Sequence, residues 1–276
     1  MHLSAQALTA AIEANIIHRA CDIASRSPHM KLHDRPDTFW ISSHIAHPYL
    51  NRVFRARFHA GAVHQGIEEI LDEFGARELP VSWLVGPCST PPDLGNHLQD
   101  AGLVRLEDET GMALDLDLLP ESITALQGLA VERVSGGEKL GTWVDIVARS
   151  FDLPDEVGSV LFDVYGRAGF GHEVPWRLFL GFLQGEPVGA SQLHLEPGVA
   201  GIYHLATVPH ARGRGVGTAM TLAALSEARA LGLRTAVLRA ARVAVGLYRE
   251  LGFEEYCRFG RYLRRQGGNQ AERGRR

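Results

Sequence analysis

Ala211-Arg212-Gly213-Arg214-Gly215-Val216-Gly217-Thr218 decides how this chain is read. Ahead of it runs Gly201-Ile202-Tyr203-His204-Leu205-Ala206-Thr207-Val208, β-branched and aromatic and closed by Pro209, which reads as a strand. Behind it, residues 218–231 carry Met220, Leu222, Ala223, Leu225 and Ala228 with no Gly or Pro and stop at Gly232, the pattern of a helix with a glycine stop. A strand, a glycine-rich turn and a helix in succession bring several backbone N–H groups to a positive helix end, where they can face one anion. Arg212 and Arg214 add charge, while Gly213, Gly215 and Gly217 let a pyrophosphate approach the main chain closely. The stretch reads as a phosphate cradle.

Three ligands compete for such a cradle. A Walker loop ends in Gly-Lys-Ser/Thr, but here the sequence is Gly-Val-Gly-Thr, so no lysine reaches a γ-phosphate. A dinucleotide fingerprint wants G-x-G-x-x-G in the first strand-to-helix turn; residues 213–217 break that spacing and lie deep in the C-terminal half. The third pattern, Arg-x-x-Gly-x-Gly, is met by Arg212, Gly215 and Gly217. It resembles the acetyl-CoA pyrophosphate loop of the GNAT acetyltransferase superfamily. Downstream, residues 233–238 read as the next strand, and Ala244-Val245-Gly246-Leu247-Tyr248-Arg249-Glu250-Leu251-Gly252-Phe253 is similar to that superfamily's other motif, Ala-x-x-Leu-Tyr-x-x-x-Gly-Phe. One departure is Ala241, where the family often has Asn or Ser.

The resemblance implies a mixed α/β fold and a donor, acetyl-CoA. By it, backbone N–H groups of Leu205, Ala206 and Thr207 hold the pantetheine arm and acetyl group, and Arg212, Gly213, Arg214, Gly215, Val216, Gly217 and Thr218 hold the pyrophosphate. The same resemblance implies that Tyr248 is the acid that protonates the departing thiolate. For the base the candidate is His204, because a histidine's unperturbed pKa suits proton uptake near neutrality, and Tyr203, His194 and Glu196 are neighbours able to relay a proton through water. Residues alternate faces along a strand, so Tyr203 and His204 share a face only across a bulge. The acceptor is expected to be an amine of a small molecule or peptide, attacked directly in a ternary complex. A non-catalytic acyl-CoA sensor and an O-acyltransferase are the other readings.

The rest of the chain suggests a second, weaker copy. Ser4 is placed to cap a helix running to residue 25, with Leu8, Ile12, Ile16 and Ile23 on one stripe. Residues 27–37 read as a polar connector, 39–43 and 52–58 as strands, 61–73 as a helix and 80–86 as a strand. A short helix then ends at Gly102-Leu103, and residues 112–118 alternate like a final strand that puts Asp115 and Asp117 on one face. Laid against the C-terminal half, Gly102-Leu103 matches Gly252-Phe253, Leu98 stands where Tyr248 stands, and nothing corresponds to the cradle. This predicts two tandem GNAT-like domains, each a twisted, mostly antiparallel sheet flanked by helices. Residues 1–122 form the degenerate domain and 129–264 the catalytic one, with a linker at 120–128 and a disordered basic tail at 265–276. In the second domain, helices at 137–149 and 155–165 carry the acceptor pocket, and a hairpin turns at residues 184–186.

Composition sets outer bounds. The 276 residues, 45% hydrophobic and 22% charged, suit packed cores. A net charge of −4 argues against a general nucleic-acid binder. No run approaches the roughly 18 apolar residues of a membrane span. Cys21, Cys88 and Cys257 suggest neither a disulfide framework nor a zinc knuckle, and His33, His44, His47, His59 and His64 match no zinc spacing. The expected partners are therefore acetyl-CoA and an amine acceptor, with no metal, nucleic acid or membrane. The expected location is cytoplasmic, and a homodimer is the one assembly considered.

Overall fold

The computed structural model describes residues 3–119 and 126–265; the basic tail and most of the expected linker lie outside the described residues. The N-terminal half runs α1 (Ala5–Ser25), β1 (Met30–Asp34), β2 (Thr38–Ser43), β3 (Arg52–Ala56), α2 (Val63–Gly75), β4 (Val81–Val85), α3 (Leu94–Asp100), β5 (Val104–Arg105) and β6 (Glu109–Asp115). The C-terminal half runs β7 (Leu129–Arg133), α4 (Gly137–Phe151), α5 (Asp155–Ala168), β8 (Trp176–Leu183), β9 (Glu186–Glu196) and β10 (Val199–Thr207). It closes with α6 (Val216–Ala230), β11 (Thr235–Ala240), α7 (Val245–Glu250) and β12 (Glu254–Arg264). Among the described residues no helix is long and apolar enough to cross a membrane.

The chain divides into two compact units that do not follow the expected cut at 122–129. One comprises Met1–Ser27 with Glu109–Cys257, the other Pro28–Asp108 with Arg258–Arg276. In the first unit the strand order is β6-β11-β10-β9-β8-β7; β10 and β11 are parallel and the other neighbours antiparallel. In the second the order is β1-β2-β3-β4-β12, with β5 also on β12; β3 and β4 are parallel and the rest antiparallel. Each unit thus has one parallel pair joined through a helix, α6 in the first and α2 in the second. Each also closes its sheet with a strand from the other half of the sequence.

Local chemistry accounts for most elements. Ser4 Oγ accepts from Ala7 N at 3.2 Å and starts α1, whose Ile12, Ile16 and Ile23 are buried as the stripe predicts. The first unit packs Met220, Ala224, Leu225 and Ala228 of α6 against Phe179, Val188, Leu193 and Ile202. In the second, Trp40 and Trp83 pack among Ile67, Ile70, Phe74 and Leu98.

Two readings of the sequence need correction. The polar connector contains β1, whose Met-Lys-Leu-His-Asp pattern suits a strand at the end of a sheet, half-exposed and paired on one side only. The alternating stretch at 112–118 leaves the sheet at Asp115, whose Oδ1 accepts from Asp117 N at 2.9 Å and starts a short turn of 3-10 helix. Asp117 pairs there with Arg234 at 3.2 Å, so the two aspartates serve a turn and not a shared strand face.

Candidate active site

The cradle forms where β10 hands over to α6. Gly213 and Gly215 take positive φ values of 71° and 83°, and Gly215 is the N-cap of α6 in left-handed conformation. Among the described residues no side chain caps this helix, and no acidic residue stands in its first turn. Its first internal bond runs from Ala219 N to Gly215 O at 3.0 Å, so the N–H groups of Val216, Gly217 and Thr218 precede the ladder and point out of the helix end. Arg212 Nε donates to Thr207 O at 3.1 Å and ties the turn to the end of β10. A Cβ on Gly217 would meet Leu247 at 3.2 Å, so a side chain there would crowd the start of α7.

Two glycines that the sequence reading passed over seat α6. Gly181 on β8 and Gly189 on β9 are direct cross-strand partners. A Cβ on Gly181 would reach Met220 Sδ at 2.6 Å, and one on Gly189 would reach Val216 at 3.0 Å. Their bare backbones let the helix lie close to the sheet.

Beside the cradle the sheet splays. β10 pairs with β11 from Val199 to Ile202 only, whereas β11 continues to Ala240 alongside β6. On its other side β10 slips register against β9 between Tyr203 and Ala206, and His204 sits in this bulge at φ 49°. Residues 205–207 therefore run past the end of the β10–β11 pairing and lead into the cradle.

The bulge turns Tyr203 and His204 toward the same helix, α1. Tyr203 OH donates to Asn15 Oδ1 at 2.7 Å, and the Arg19 guanidinium lies 4.5 Å over the tyrosine ring. Arg19 Nη2 is 3.2 Å from His204 Nε2, and Arg19 Nε donates to Gln192 Oε1 at 2.9 Å. On its other side His204 meets Trp143 edge-on at 5.2 Å and Phe151 at 6.1 Å; Trp143 is itself anchored through Nε1 to Ser191 O at 3.0 Å. Burial, and then Arg19, hold the His204 pKa well below the ordinary value, so the ring is neutral. His194 is fully buried and pushed down to about 3, again mainly by burial. Glu196 pairs with His18 at 2.8 Å.

Tyr248 lies on α7, 6% exposed, edge-on to Phe253 at 5.6 Å, and burial raises its phenol pKa. A phenol so held keeps its proton. Asn15, Arg19, Trp143 and Gln192 were not singled out from the sequence. The trace they leave is two polar residues one turn apart, Asn15 and Arg19, on the face of α1 that buries Ile12, Ile16 and Ile23. A hollow of about 260 Å³ among Leu8, Leu114, Asp115, Arg234 and Tyr256 lies at the start of β11, the end of the sheet away from the cradle. Among the described residues no group of His, Cys, Asp and Glu is arranged to hold a metal ion.

The uncapped glycine-rich helix start beside a splayed strand, and the tyrosine before a Gly-Phe turn, lie where the resemblance to the acetyltransferase superfamily implies them. Residues 148–253 match the model of the Acetyltransferase (GNAT) family. The chain is 30% identical over 145 residues to a mycothiol acetyltransferase of Thermomonospora curvata, covering 50% of this chain and 48% of that protein. A mycothiol acetyltransferase of Streptomyces avermitilis is 31% identical over 132 residues, 46% of this chain and 43% of that one. The chain thus spans about half the length of the curated relatives it matches. A GCN5-related N-acetyltransferase from Kribbella flavida superposes with a TM-score of 0.68 at 19% identity, over 95% of this chain and 98% of that one. A tandem GNAT protein from the clavulanic acid biosynthesis pathway does so with 0.56 at 16% identity, over 88% and 86%. At these identities the two structures share the fold.

Proposed function

We propose that the protein transfers an acetyl group from acetyl-CoA to an amine of a small molecule or peptide, by direct attack in a ternary complex. The observation that carries this reading is the helix start at residues 215–218, glycine-lined and with no acidic residue in its first turn, set directly after a splayed strand. A dianionic pyrophosphate fits N–H groups that no side chain caps, and the main chain of Leu205, Ala206 and Thr207 suits a pantetheine arm laid along the gap. The mycothiol acetyltransferases among the relatives support a small-molecule acceptor. In the same reading 129–264 is the catalytic GNAT-like half and 1–122 a degenerate copy. The matching pattern of one parallel pair in each unit supports this.

The residues divide the work by charge. Arg212, Arg214 and the N–H groups of 216–218 neutralise phosphate. Tyr248, protonated in its apolar surroundings, supplies the proton that the leaving thiolate needs. His204, neutral at the bulge, accepts the proton that the attacking amine must lose.

The test is release of CoA thiol from acetyl-CoA across a panel of amines. Tyr248→Phe is expected to lower kcat by about 10- to 100-fold with the acetyl-CoA dissociation constant within about twofold of wild type. Gly215→Glu is expected to abolish acetyl-CoA binding, through both strain at positive φ and repulsion of phosphate. Unchanged acetyl-CoA affinity in Gly215→Glu would remove the cradle assignment. Tight acetyl-CoA binding without turnover of any acceptor would make the protein a sensor.

A further inference from the structure

Asp115 and Asp117 take no part in the proposed reaction, yet both line the hollow at the start of β11. It forms at the last rung of the β6–β11 pairing, where Asp115 stands opposite Thr235. The chain then turns away, with Leu116 N donating to Arg234 O at 2.8 Å. Leu3, just ahead of the Ser4 cap, and Leu8, in the first turn of α1, close one side. Gly252, Glu254 and Tyr256 close another, from the turn after α7 and the first residues of β12.

The lining has an apolar part and a charged part. Leu8 and Leu114 supply hydrocarbon, and two large apolar side chains that the fold leaves exposed, Leu3 at 44% and Leu118 at 75%, stand at this same place. Among the described residues that line it, Asp115, Asp117 and Glu254 bring three carboxylates against the single guanidinium of Arg234. Asp117 pairs with that guanidinium at 3.2 Å. Asp115 Oδ1 accepts from Asp117 N at 2.9 Å, and Glu254 Oε2 accepts from Tyr256 OH at 2.9 Å. A peptide N–H and a phenol are neutral donors, so the lining itself carries more negative charge than positive. A carboxylate offers about four lone-pair sites, so Glu254 can accept again beside the tyrosine hydroxyl.

We infer that this hollow is a binding site for a small cationic amphiphile, with a primary ammonium beside Glu254 and a short alkyl body among Leu8, Leu114 and Leu118. Volume limits the body: about 260 Å³ lies below the roughly 300–1,000 Å³ of sites that take drug-sized ligands. Sign selects the head. A carboxylate or phosphate would meet three like charges and a guanidinium already paired with Asp117. A neutral alcohol gains the apolar contact alone, whereas an ammonium adds three donors to a rim of acceptors. The hollow lies at the end of the sheet away from the cradle, so this amine site is separate from the one where transfer is proposed. It stands or falls independently of the acyl-transfer reading.

Equilibrium dialysis of the full chain, without acetyl-CoA, against n-hexylammonium, n-hexanol and hexanoate compares one tail under three heads. The ammonium is expected to bind about 10-fold or more tightly than either other head. Glu254→Lys, at an exposed position, is expected to reverse the order of ammonium and hexanoate. Glu254→Gln, the milder change should Glu254→Lys not fold, is expected to weaken the ammonium about fivefold. Leu118→Ser is expected to weaken ammonium and alcohol alike, because both lay their tails on it. Hexanoate bound as tightly as the ammonium overturns the proposal. So does an ammonium affinity that neither Glu254 variant changes, which would put the amine elsewhere, the transfer site included. No binding of the ammonium at millimolar concentration overturns it as well and leaves the acyl-transfer reading untouched.

Discussion

Gly201 is the residue at which the packing of α1 on the sheet tolerates no side chain. A Cβ there would lie 1.9 Å from Asn15 Oδ1 and 2.6 Å from the Tyr203 ring. Asn15 cannot swing aside cheaply, because its Oδ1 accepts the Tyr203 hydroxyl proton, and a buried phenol left unpaired costs about 1–3 kcal/mol. Gly201→Ala is therefore expected to destabilise the protein by about 1–3 kcal/mol, read as a lower urea midpoint at unchanged slope. A midpoint equal to wild type would mean that α1 does not pack as described. Residues of this kind mark the limit of what the sequence shows at this scale. The cradle and Tyr248 are legible because each is a spacing within ten or so neighbouring positions. Asn15 and Arg19 are not, because their partners Tyr203 and Gln192 stand 188 and 173 positions away. His204 falls between: its place in the strand is readable, but its bulge depends on how β9 and β10 pair.

At the scale of elements, the seam between α1 and β9 carries a pH dependence. His194 is buried in it, and its folded pKa of about 3 lies below the ordinary 6.5. The unfolded chain therefore binds a proton that the folded chain refuses at any pH between these values. Stability from this group is full above pH 6.5 and is lost as pH falls toward 3, with a slope of about 1.4 kcal/mol per pH unit. His204, also lowered, acts in the same direction. Urea unfolding at a series of pH values between 7.5 and 4.5 should show this fall, and His194→Gln should flatten it by one proton's worth. Identical slopes in the two proteins would show that His194 is not the group responsible. The existence of these elements was legible, since α1, α6 and β8 to β11 follow period and punctuation closely. The seam was not, because β9 is buried on both sides from Val188 to His194 and its polar residues carry no amphipathic signature.

The whole molecule departs most from a reading of the sequence in order. Strand character is written in local period and turn residues, and these do not name a strand's neighbour. The two halves were legible as a repeated order of elements ending in Gly102-Leu103 and Gly252-Phe253. What lay hidden is that β6, from the first half, lines β11, and that the end of β12, from the second, lines β4. The compact unit with the cradle accordingly includes Met1–Ser27 and begins again at Glu109. A fragment of residues 129–264, the catalytic half by sequence, would lack both α1, which covers Gly201 and Tyr203, and β6, which pairs with all of β11 from Thr235 to Ala240. That leaves an open edge and an uncovered apolar face, which a small domain does not offset from within. The fragment is expected to show no cooperative thermal transition and no acetyl-CoA binding, while the full chain shows both. A fragment of 129–264 that melts cooperatively and binds acetyl-CoA with the affinity of the full chain would overturn the division of the molecule described above and restore the boundary read from the sequence.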